Sequence, residues 1–487
     1  MNYPLIRKIL GKIMVLIAML MSLPLIVSLI YRESLQNVLS FLIPMVIMGG
    51  VGYFFSRKKV SSFKMYAREG LVIVGLSWLF IALFGALPFV ISGEIPNYID
   101  AFFEAASGFT TTGASIVLDV ESLSHSILFW RSFTHWIGGM GVLVFILAII
   151  PESKDGSSVF LMKAESTGPT VGKLVSKMQV TSRILYLIYL GLTVIEFILL
   201  VVGPDAKMGV FESIIYTFGT AGTGGFSMHA DGLASFTPYS QYVIAIFMII
   251  FGINFSLFYL ILLGKVKEAF KNEELRLYLL VLFFSITMIT INIFSIYNSF
   301  EEAFRYSLFQ VASIISTTGY STTDFAMWPA LSQGVIIIIM MSGACAGSTA
   351  GGFKLSRVNV LLKSSASKIK NAISPRKVEV IRFEGKPMDD NTVNTVQNYL
   401  SIYILLIIFV ALIISCDGTH GLIENITTSI TIVNNVGPGL GSVGPLGSFA
   451  HYSYFSKIIL SITMIAGRLE LIPILVLFNP NTWKKRN

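Results

Sequence analysis

Long apolar runs dominate the chain, and polar residues gather in the short intervals between them. Four shorter, semi-apolar stretches end in Gly-rich polar turns at 97–115, 209–227, 301–321 and 420–441. Runs of the ~20 residues that span a bilayer lie near 13–30, 38–55, 71–92, 125–150, 181–203, 241–264, 275–297, 333–353, 397–416 and 455–478. Because the four shorter stretches cannot span, the pattern predicts a polytopic helical membrane protein with four re-entrant segments.

Composition and charge agree with this interpretation. Of the 487 residues, 54% are hydrophobic and only 13% are charged, whereas a soluble domain has about 25% charged residues. The net charge of +8 comes from bases in alternate loops, at 56–70, 151–180, 265–274 and 354–396, and at both termini. This bias predicts cytoplasmic termini and places all four re-entrant segments on the outer side. Membrane topology accounts for the charge, and we expect no nucleic-acid partner because no basic-aromatic module is present.

The re-entrant segments are internal repeats. ASGFTTTGAS, FGTAGTGGFS, ASIISTTGYS and TIVNNVGPGL align on a shared glycine, and each lies between a preceding and a following span. The unit is therefore helix, re-entrant segment, helix, four times over. The predicted regions are two N-terminal helices in 1–70 and four repeats in 71–150, 181–264, 275–353 and 397–487.

An acidic residue recurs thirteen positions before the shared glycine. Asp100, Glu212 and Glu424 occupy this position, and the third repeat has Tyr306 there, with Glu301 and Glu302 shortly before it. An acid in the first turn of a short helix suits the helix dipole. The other end of the helix then directs its partly negative carbonyls toward the polar turn, which favours a cation. The alternative is that these acids are simply solvated at the outer surface.

The turns have the composition that a cation pathway needs. A cation that crosses a bilayer requires oxygens in place of its hydration shell, and rings of backbone carbonyls supply them. Glycine permits the dihedral angles that direct successive carbonyls toward an axis. Four linked segments would form a pseudo-fourfold ring. The alternative is that the four segments are ordinary outer loops rich in turn residues.

Several motifs, in order along nearly the whole chain, resemble the Trk/Ktr/HKT superfamily of potassium transporters, and most of all its TrkH branch. They are SGFTTTGAS, FWRSFTHWIGGMGV, AGTGGFS, STTGYS, SGACAGSTAGGFK, VNNVGPGLG and AGRLELIP. The resemblance implies an all-α polytopic fold of four helix–pore-loop–helix repeats with pseudo-fourfold symmetry around one pore, plus two additional N-terminal transmembrane helices.

The resemblance also implies a potassium filter, built mostly from main-chain carbonyls. Its lining would be Thr111, Thr112, Gly113, Thr223, Gly224, Gly225, Thr317, Thr318, Gly319, Asn435, Val436 and Gly437. Potassium ions in the filter are the only bound cofactor expected. Glycine at all four shared positions resembles the potassium-selective pattern. Since the four segments differ in sequence, we expect potassium and rubidium to pass well and sodium to be rejected moderately.

A gate beneath the filter is implied in the same way. It would consist of an intramembrane loop and one intramembrane base: Gly343, Ala344, Cys345, Ala346, Gly347, Ser348, Thr349, Ala350, Gly351, Gly352 and Arg468. One alternative for the loop is a small-residue face for helix packing. Alternatives for Arg468 are a structural pair with Glu470 or a side chain that reaches the inner interface.

The expected function is that of a potassium-permeating, channel-like subunit of an uptake system, not an enzyme. The alternative is a secondary transporter that couples potassium to protons or sodium. Such transporters usually have inverted repeats and midplane acids, whereas these repeats run in parallel and Glu196 is the main acid within a span. The resemblance further implies a homodimer in the bacterial inner membrane and a cytosolic, nucleotide-binding TrkA-like ring on the basic loops 151–180 and 354–396.

Overall fold

The computed structural model describes residues 1–57, 66–141, 178–374 and 380–484 and is mainly helical. Two N-terminal spans come first: α1 (Tyr3–Leu20) with α2 (Ser22–Ile30), and then α3 (Leu35–Arg57). Glycines bring the two spans together, since a Cβ on Gly11 would lie only 2.6 Å from the Gly52 carbonyl oxygen. Small residues at such a crossing allow close backbone packing in a membrane.

The first two repeats follow the predicted order of helix, half-helix and helix. The first contains α4 (Ala67–Gly85), α5 (Leu87–Ser92), the half-helix α6 (Tyr98–Phe109) and α7 (His125–Gly139). The second contains α8 (Met178–Val202), the half-helix α9 (Val210–Gly222), α10 (Pro238–Phe251) and α11 (Phe255–Leu262). The second half of the predicted span 125–150 and most of the loop 151–180 lie outside the described residues.

The third and fourth repeats have the same order. After the short α12 (Val266–Lys271), the third contains α13 (Glu273–Ile293), the half-helix α14 (Phe300–Ile315), α15 (Ala330–Ser342) and α16 (Leu355–Ile373). A small hairpin, β1 (Arg382–Phe383) paired antiparallel with β2 (Lys386–Pro387), separates the two repeats. The fourth contains α17 (Asp390–Ser415), the half-helix α18 (Leu422–Asn434), α19 (Tyr454–Arg468) and α20 (Ile472–Phe478).

The chain is a multi-pass membrane protein. Within the described ranges, six helices are long and apolar enough to cross a bilayer, and a seventh is counted if α10 and α11, bent by 93° at their junction, form one broken span. The predicted all-α architecture of four repeats is confirmed. In the predicted span 125–150 the described helix ends at Gly139, and three predicted spans are broken within the described residues, at 241–264, 333–353 and 455–478. The sequence predicts the break in 333–353 but not the other two, and the prediction of continuous helices there is wrong.

Local chemistry explains the two unexpected breaks. In the second repeat, Asn254 caps the new helix α11 by accepting the Ser256 N–H at 2.9 Å. In the fourth repeat, Glu470 and Leu471 have positive φ angles of 56° and 67°, and Pro473 lies in the first turn of α20. Non-helical backbone is tolerated at membrane depth when protein groups satisfy it.

Candidate functional site

The four polar turns share one backbone conformation. One or two positions after the end of each half-helix lies a non-glycine residue in the left-handed region, with φ between 54° and 57°: Thr111, Thr223, Thr317 and Asn435. Two positions later the shared glycines have φ angles of 77°, 81°, 87° and 103°. A β-branched residue with positive φ is rare and strained, and strain of this kind concentrates at functional sites. Because a threonine has this conformation in three of the four repeats, the turns are candidates for the functional site.

The same hydrogen bond closes each turn. The N–H after the left-handed residue donates to the carbonyl five positions earlier: Thr112 to Ser107, Gly224 to Gly219, Thr318 to Ser313 and Val436 to Thr431, at 2.9, 2.8, 2.8 and 2.9 Å. This closure is typical of helix C-termini and satisfies a carbonyl that the helix leaves unpaired. The four segments therefore match in hydrogen bonding as well as in sequence register.

The turns meet in a closed ring. A Cβ on each shared glycine would collide with a carbonyl oxygen of the next repeat: Gly113 with Gly224, Gly225 with Thr318, Gly319 with Val436 and Gly437 with Thr112, at 2.1, 2.0, 2.2 and 2.7 Å. The contacts run from repeat one to two, three, four and back to one. Real Cβ atoms essentially never approach so closely. A side chain at any of the four positions would therefore force the neighbouring backbone of the ring to shift.

A cavity of about 350 Å³ lies against the ring. Its lining includes all four shared glycines together with Ser115, Arg131 and Phe226. All twelve predicted filter residues lie in the four turns that form the ring.

Two of the repeated acids are held by specific partners. Asp100 forms an ion pair with Lys457 of the fourth repeat, at 2.7 Å, and the Lys457 side chain is only 4% exposed. Glu424 accepts the N–H groups of Ser442 and Gly421 at 2.8 and 2.9 Å. Simple solvation, the alternative for these acids, is wrong for Asp100 and Glu424.

A buried ion pair that sequence reasoning missed supports the first turn. Glu104 in α6 and Arg131 in α7 are 2.8 Å apart, with side chains 0% and 2% exposed. Glu104 also accepts the hydroxyl of Ser115 at 2.9 Å and the N–H of Ile116 at 3.0 Å. Arg131 extends to the second turn, where its guanidinium lies 4.2 Å from the Phe226 ring centre. The sequence feature that could have indicated this ion pair is Glu104 itself, a glutamate on the otherwise apolar face of the first half-helix.

His135 connects the same two turns and explains part of the FWRSFTHWIGGMGV motif. Its Nδ1 lies 2.8 Å from the Gly108 carbonyl oxygen, and its Nε2 accepts the Phe226 N–H at 3.3 Å. A Cβ on Gly224 would collide with the imidazole ring, at 2.1 Å from Cγ. The histidine therefore packs directly behind the second turn.

The segment 343–352, for which the family resemblance implies a gate and which is called the gate loop below, is non-helical between α15 and α16. Its conformation uses positive φ at Gly343, Gly347 and Gly352. The Gly351 N–H donates to the Thr317 hydroxyl of the third turn at 2.7 Å, and a Cβ on Gly351 would lie 2.4 Å from the Asn434 carbonyl oxygen. The loop thus packs against the third and fourth turns. The alternative of a helix-packing face is wrong, because no helix forms here.

Arg468 joins three repeats. From the fourth repeat, its guanidinium donates to the Thr349 carbonyl of the gate loop at 2.7 Å and to the carbonyls of Gly138 and Gly139 in the first repeat at 2.6 and 2.5 Å. Glu470, the alternative partner for this arginine, forms an ion pair with Arg357. The base therefore lies between the gate loop and the end of α7.

Comparison with known proteins agrees with this geometry. The family model of TrkH, described as a cation transport protein, matches residues 34–485. The Trk system potassium uptake protein TrkH of Escherichia coli K12 is 34% identical over the full length of both chains. The protein of that name from Vibrio parahaemolyticus is 33% identical over 99% of this chain and its own full length.

A solved structure matches at the level of the fold. The crystal structure of the potassium transporter TrkH from Vibrio parahaemolyticus superposes with a TM-score of 0.88 at 29% identity, over 99% of this chain and all of that chain. The family match extends over most of the chain, and the structural match includes all four repeats. The chain therefore belongs to the TrkH family of cation transport proteins.

Proposed function

We propose that the chain is a potassium-permeating, channel-like subunit of a potassium uptake system in the bacterial inner membrane. The observation that carries the proposal is the closed ring of four glycine–carbonyl contacts between successive repeats. The names of the relatives, which are Trk system potassium uptake proteins, support potassium as the cargo.

The turns would act as the filter through their carbonyl oxygens. Carbonyls of a filter replace the hydration shell of a passing ion. The four half-helices direct their C-terminal, partly negative ends at the same place, which further stabilises a cation. The ions themselves are cargo and need no resident cofactor. Because the four turns have different side chains, we expect rubidium to follow potassium and the rejection of sodium to be moderate.

The gate loop and Arg468 would close the pathway on the inner side of the filter. The loop packs against two of the four turns, so it occupies space beside the ring. Two charges 4 Å apart repel by about 1 kcal/mol in water and by about 4 kcal/mol at an effective dielectric constant of 20. The fixed guanidinium of Arg468 would therefore raise the barrier to a passing cation. Because the guanidinium is bonded to the loop, the loop would have to move when the guanidinium is displaced.

Regulation would come from outside the chain. We propose a homodimer with cytoplasmic termini, and a cytosolic TrkA-like nucleotide-binding ring that docks on the basic loops 151–180 and 354–396. The relatives are named as parts of a Trk system, which supports a multi-component assembly. Residues 151–177 and 375–379 of these loops lie outside the described part of the chain.

Coupled transport is the second candidate, and one buried acid favours it. Glu196 in α8 is 0% exposed, and its carboxylate faces the hydroxyl of Thr220 in α9. An ionisable side chain inside a membrane is a functional candidate by default. In this candidate, a proton carried by Glu196 would couple to potassium movement.

Single-channel recording of the purified protein in a planar bilayer separates the two candidates. A pore with a carbonyl filter predicts unitary currents far above about 10³ ions per second, the upper range of typical enzyme turnover numbers. Strict alternating access predicts no resolvable unitary events in the same bilayer. Glu196→Gln serves as the matched variant, since a pore keeps its unitary current and a proton-coupled transporter loses uptake.

A further inference from the structure

One carboxylate joins the two ends of the gate loop. Glu274, the second residue of α13, is 4% exposed. Its Oε1 accepts the N–H of Ala346 at 2.7 Å and the N–H of Ser356 at 2.8 Å. A further hydrogen bond, from the Leu355 N–H to the Ala344 carbonyl at 3.1 Å, connects the two chain segments directly. We call residues 344–346 and 354–356 the neck of the loop.

The neck is strained as well as pinned. Gly343 and Lys354 flank the loop with φ angles of 64° and 79°, and positive φ is costly for a non-glycine residue such as Lys354. A conformation of this kind persists only when surrounding contacts hold it. Hydrogen bonds to an ionised acceptor are stronger than neutral ones, so the carboxylate of Glu274 is well suited to hold the neck.

The N-terminal end of α13 is also bound to the hairpin of β1 and β2, which we call the cytoplasmic hairpin. The side-chain N–H of Asn272 and the backbone N–H of Glu273 both donate to Glu384 Oε1, each at 2.8 Å. Lys363 of α16 pairs with Glu273 and donates to the Arg382 carbonyl at 2.8 Å. The hairpin therefore contacts both helices that meet at the neck, α13 through Glu384 and α16 through Lys363.

We propose that Glu274 is the positioning residue that keeps the gate loop closed, and that Glu384 couples it to the cytoplasmic hairpin. The inference rests on the proposed function of the loop as a gate. With Glu274 in place, both neck N–H groups are satisfied and the loop stays packed against the third and fourth turns. Without the carboxylate, two buried N–H groups lose their acceptor, and open conformations in which water reaches them become more favourable.

Rubidium uptake into liposomes that contain the purified full chain and no partner protein tests the proposal. Glu274→Ala is expected to raise uptake roughly 5- to 30-fold, the range that one or two kcal/mol produces, with the potassium-to-sodium ratio unchanged. Glu274→Gln retains an oxygen that accepts both N–H groups but loses the charge, so its uptake is expected to lie between that of wild type and that of Glu274→Ala. Glu384→Ala raises uptake in the same direction by a smaller factor.

Two controls identify which idea fails. Glu268→Ala removes an acid of α12 whose side chain is 58% exposed, and Arg468→Ala weakens the gate itself. If Glu274→Ala behaves like Glu268→Ala while Arg468→Ala leaks, the role of Glu274 is wrong and the gate stands. If neither Glu274→Ala nor Arg468→Ala leaks, the gate itself is wrong.

Two further outcomes also overturn the role of Glu274. Leakage of Glu274→Gln equal to that of Glu274→Ala contradicts an acceptor role, and an unselective leak indicates general damage rather than an open gate. If Glu274→Ala does not elute as a single species on size exclusion, Glu274→Asp replaces it. Its shorter side chain withdraws the oxygen from the neck, so increased selective uptake supports the proposal and unchanged uptake contradicts it.

Discussion

The four turns of the ring and the gate loop are both non-helical backbone between apolar helices, yet different contacts hold them. The turns are fixed by backbone: one hydrogen bond repeated four times, and a glycine of each repeat against a carbonyl of the next. The loop occurs once, and single side chains from Thr317, Arg468 and Glu274 supplement its few backbone bonds, such as the one from the Phe255 N–H to the Gly347 carbonyl at 3.0 Å. Backbone contacts that recur around a ring support one another, whereas a single side-chain contact can be released by itself. The first arrangement suits a fixed filter and the second suits a gate.

The largest expected effect comes from breaking the support of the ring. Glu104→Ala leaves the buried charge of Arg131 without its partner, and removal of one member of a buried pair costs about 3–5 kcal/mol. We expect a markedly lower unfolding temperature for the detergent-solubilised protein. Glu121→Ala is the control, because its side chain is 59% exposed. Equal unfolding temperatures for the two variants would contradict a structural role for the pair.

Two threonines of the turns, only one of which contacts the gate loop, test the difference between the ring and the loop with a smaller expected effect. The hydroxyl of Thr317 accepts the Gly351 N–H of the gate loop at 2.7 Å, whereas the hydroxyl of Thr223 donates to Gly222 within its own turn at 2.6 Å. Thr317→Ala leaves a buried N–H unsatisfied, at a cost of about 1–3 kcal/mol. Basal rubidium uptake should therefore rise in Thr317→Ala and stay near wild type in Thr223→Ala.

Both of these threonine variants should keep the potassium-to-sodium ratio of the wild type, because the turn carbonyls are unchanged. Uptake of ⁸⁶Rb⁺ and ²²Na⁺ measured side by side checks both expectations. An equal rise in the two variants would mean that the contact with the loop has no special role. A lowered ratio in Thr317→Ala alone would mean that the loop contact shapes the filter as well as the gate.

The sequence predicts the ring better than it predicts what surrounds it. A glycine in fixed register, followed through four repeats, is a local signal, and the required positive φ and close approach explain why it is visible. The gate loop was predicted from its glycines and from family resemblance. The breaks after Phe251 and Arg468 were missed, since an apolar run has the same composition whether it is straight or bent.

Long-range partners are the other part that could not be predicted. Lys457 is buried against Asp100 of another repeat. Arg131 is buried against Glu104 of the half-helix before it. Glu274 looks like any acid in the first turn of a helix, where the dipole alone would explain it. Each pairing depends on how repeats pack together, and one sequence carries no signal for that packing.

The potassium-to-sodium permeability ratio of Gly113→Ser, from reversal potentials in a bilayer, tests the central claim most directly. A Cβ at position 113 would lie 2.1 Å from the Gly224 carbonyl oxygen, at a φ of 77°. The contact between the first two turns must therefore open. Gly191→Ser is the matched control, because a Cβ there meets nothing within 4 Å. The account predicts a clearly lower ratio in Gly113→Ser and a wild-type ratio in Gly191→Ser; a conducting Gly113→Ser with an unaltered ratio would contradict the ring as the filter.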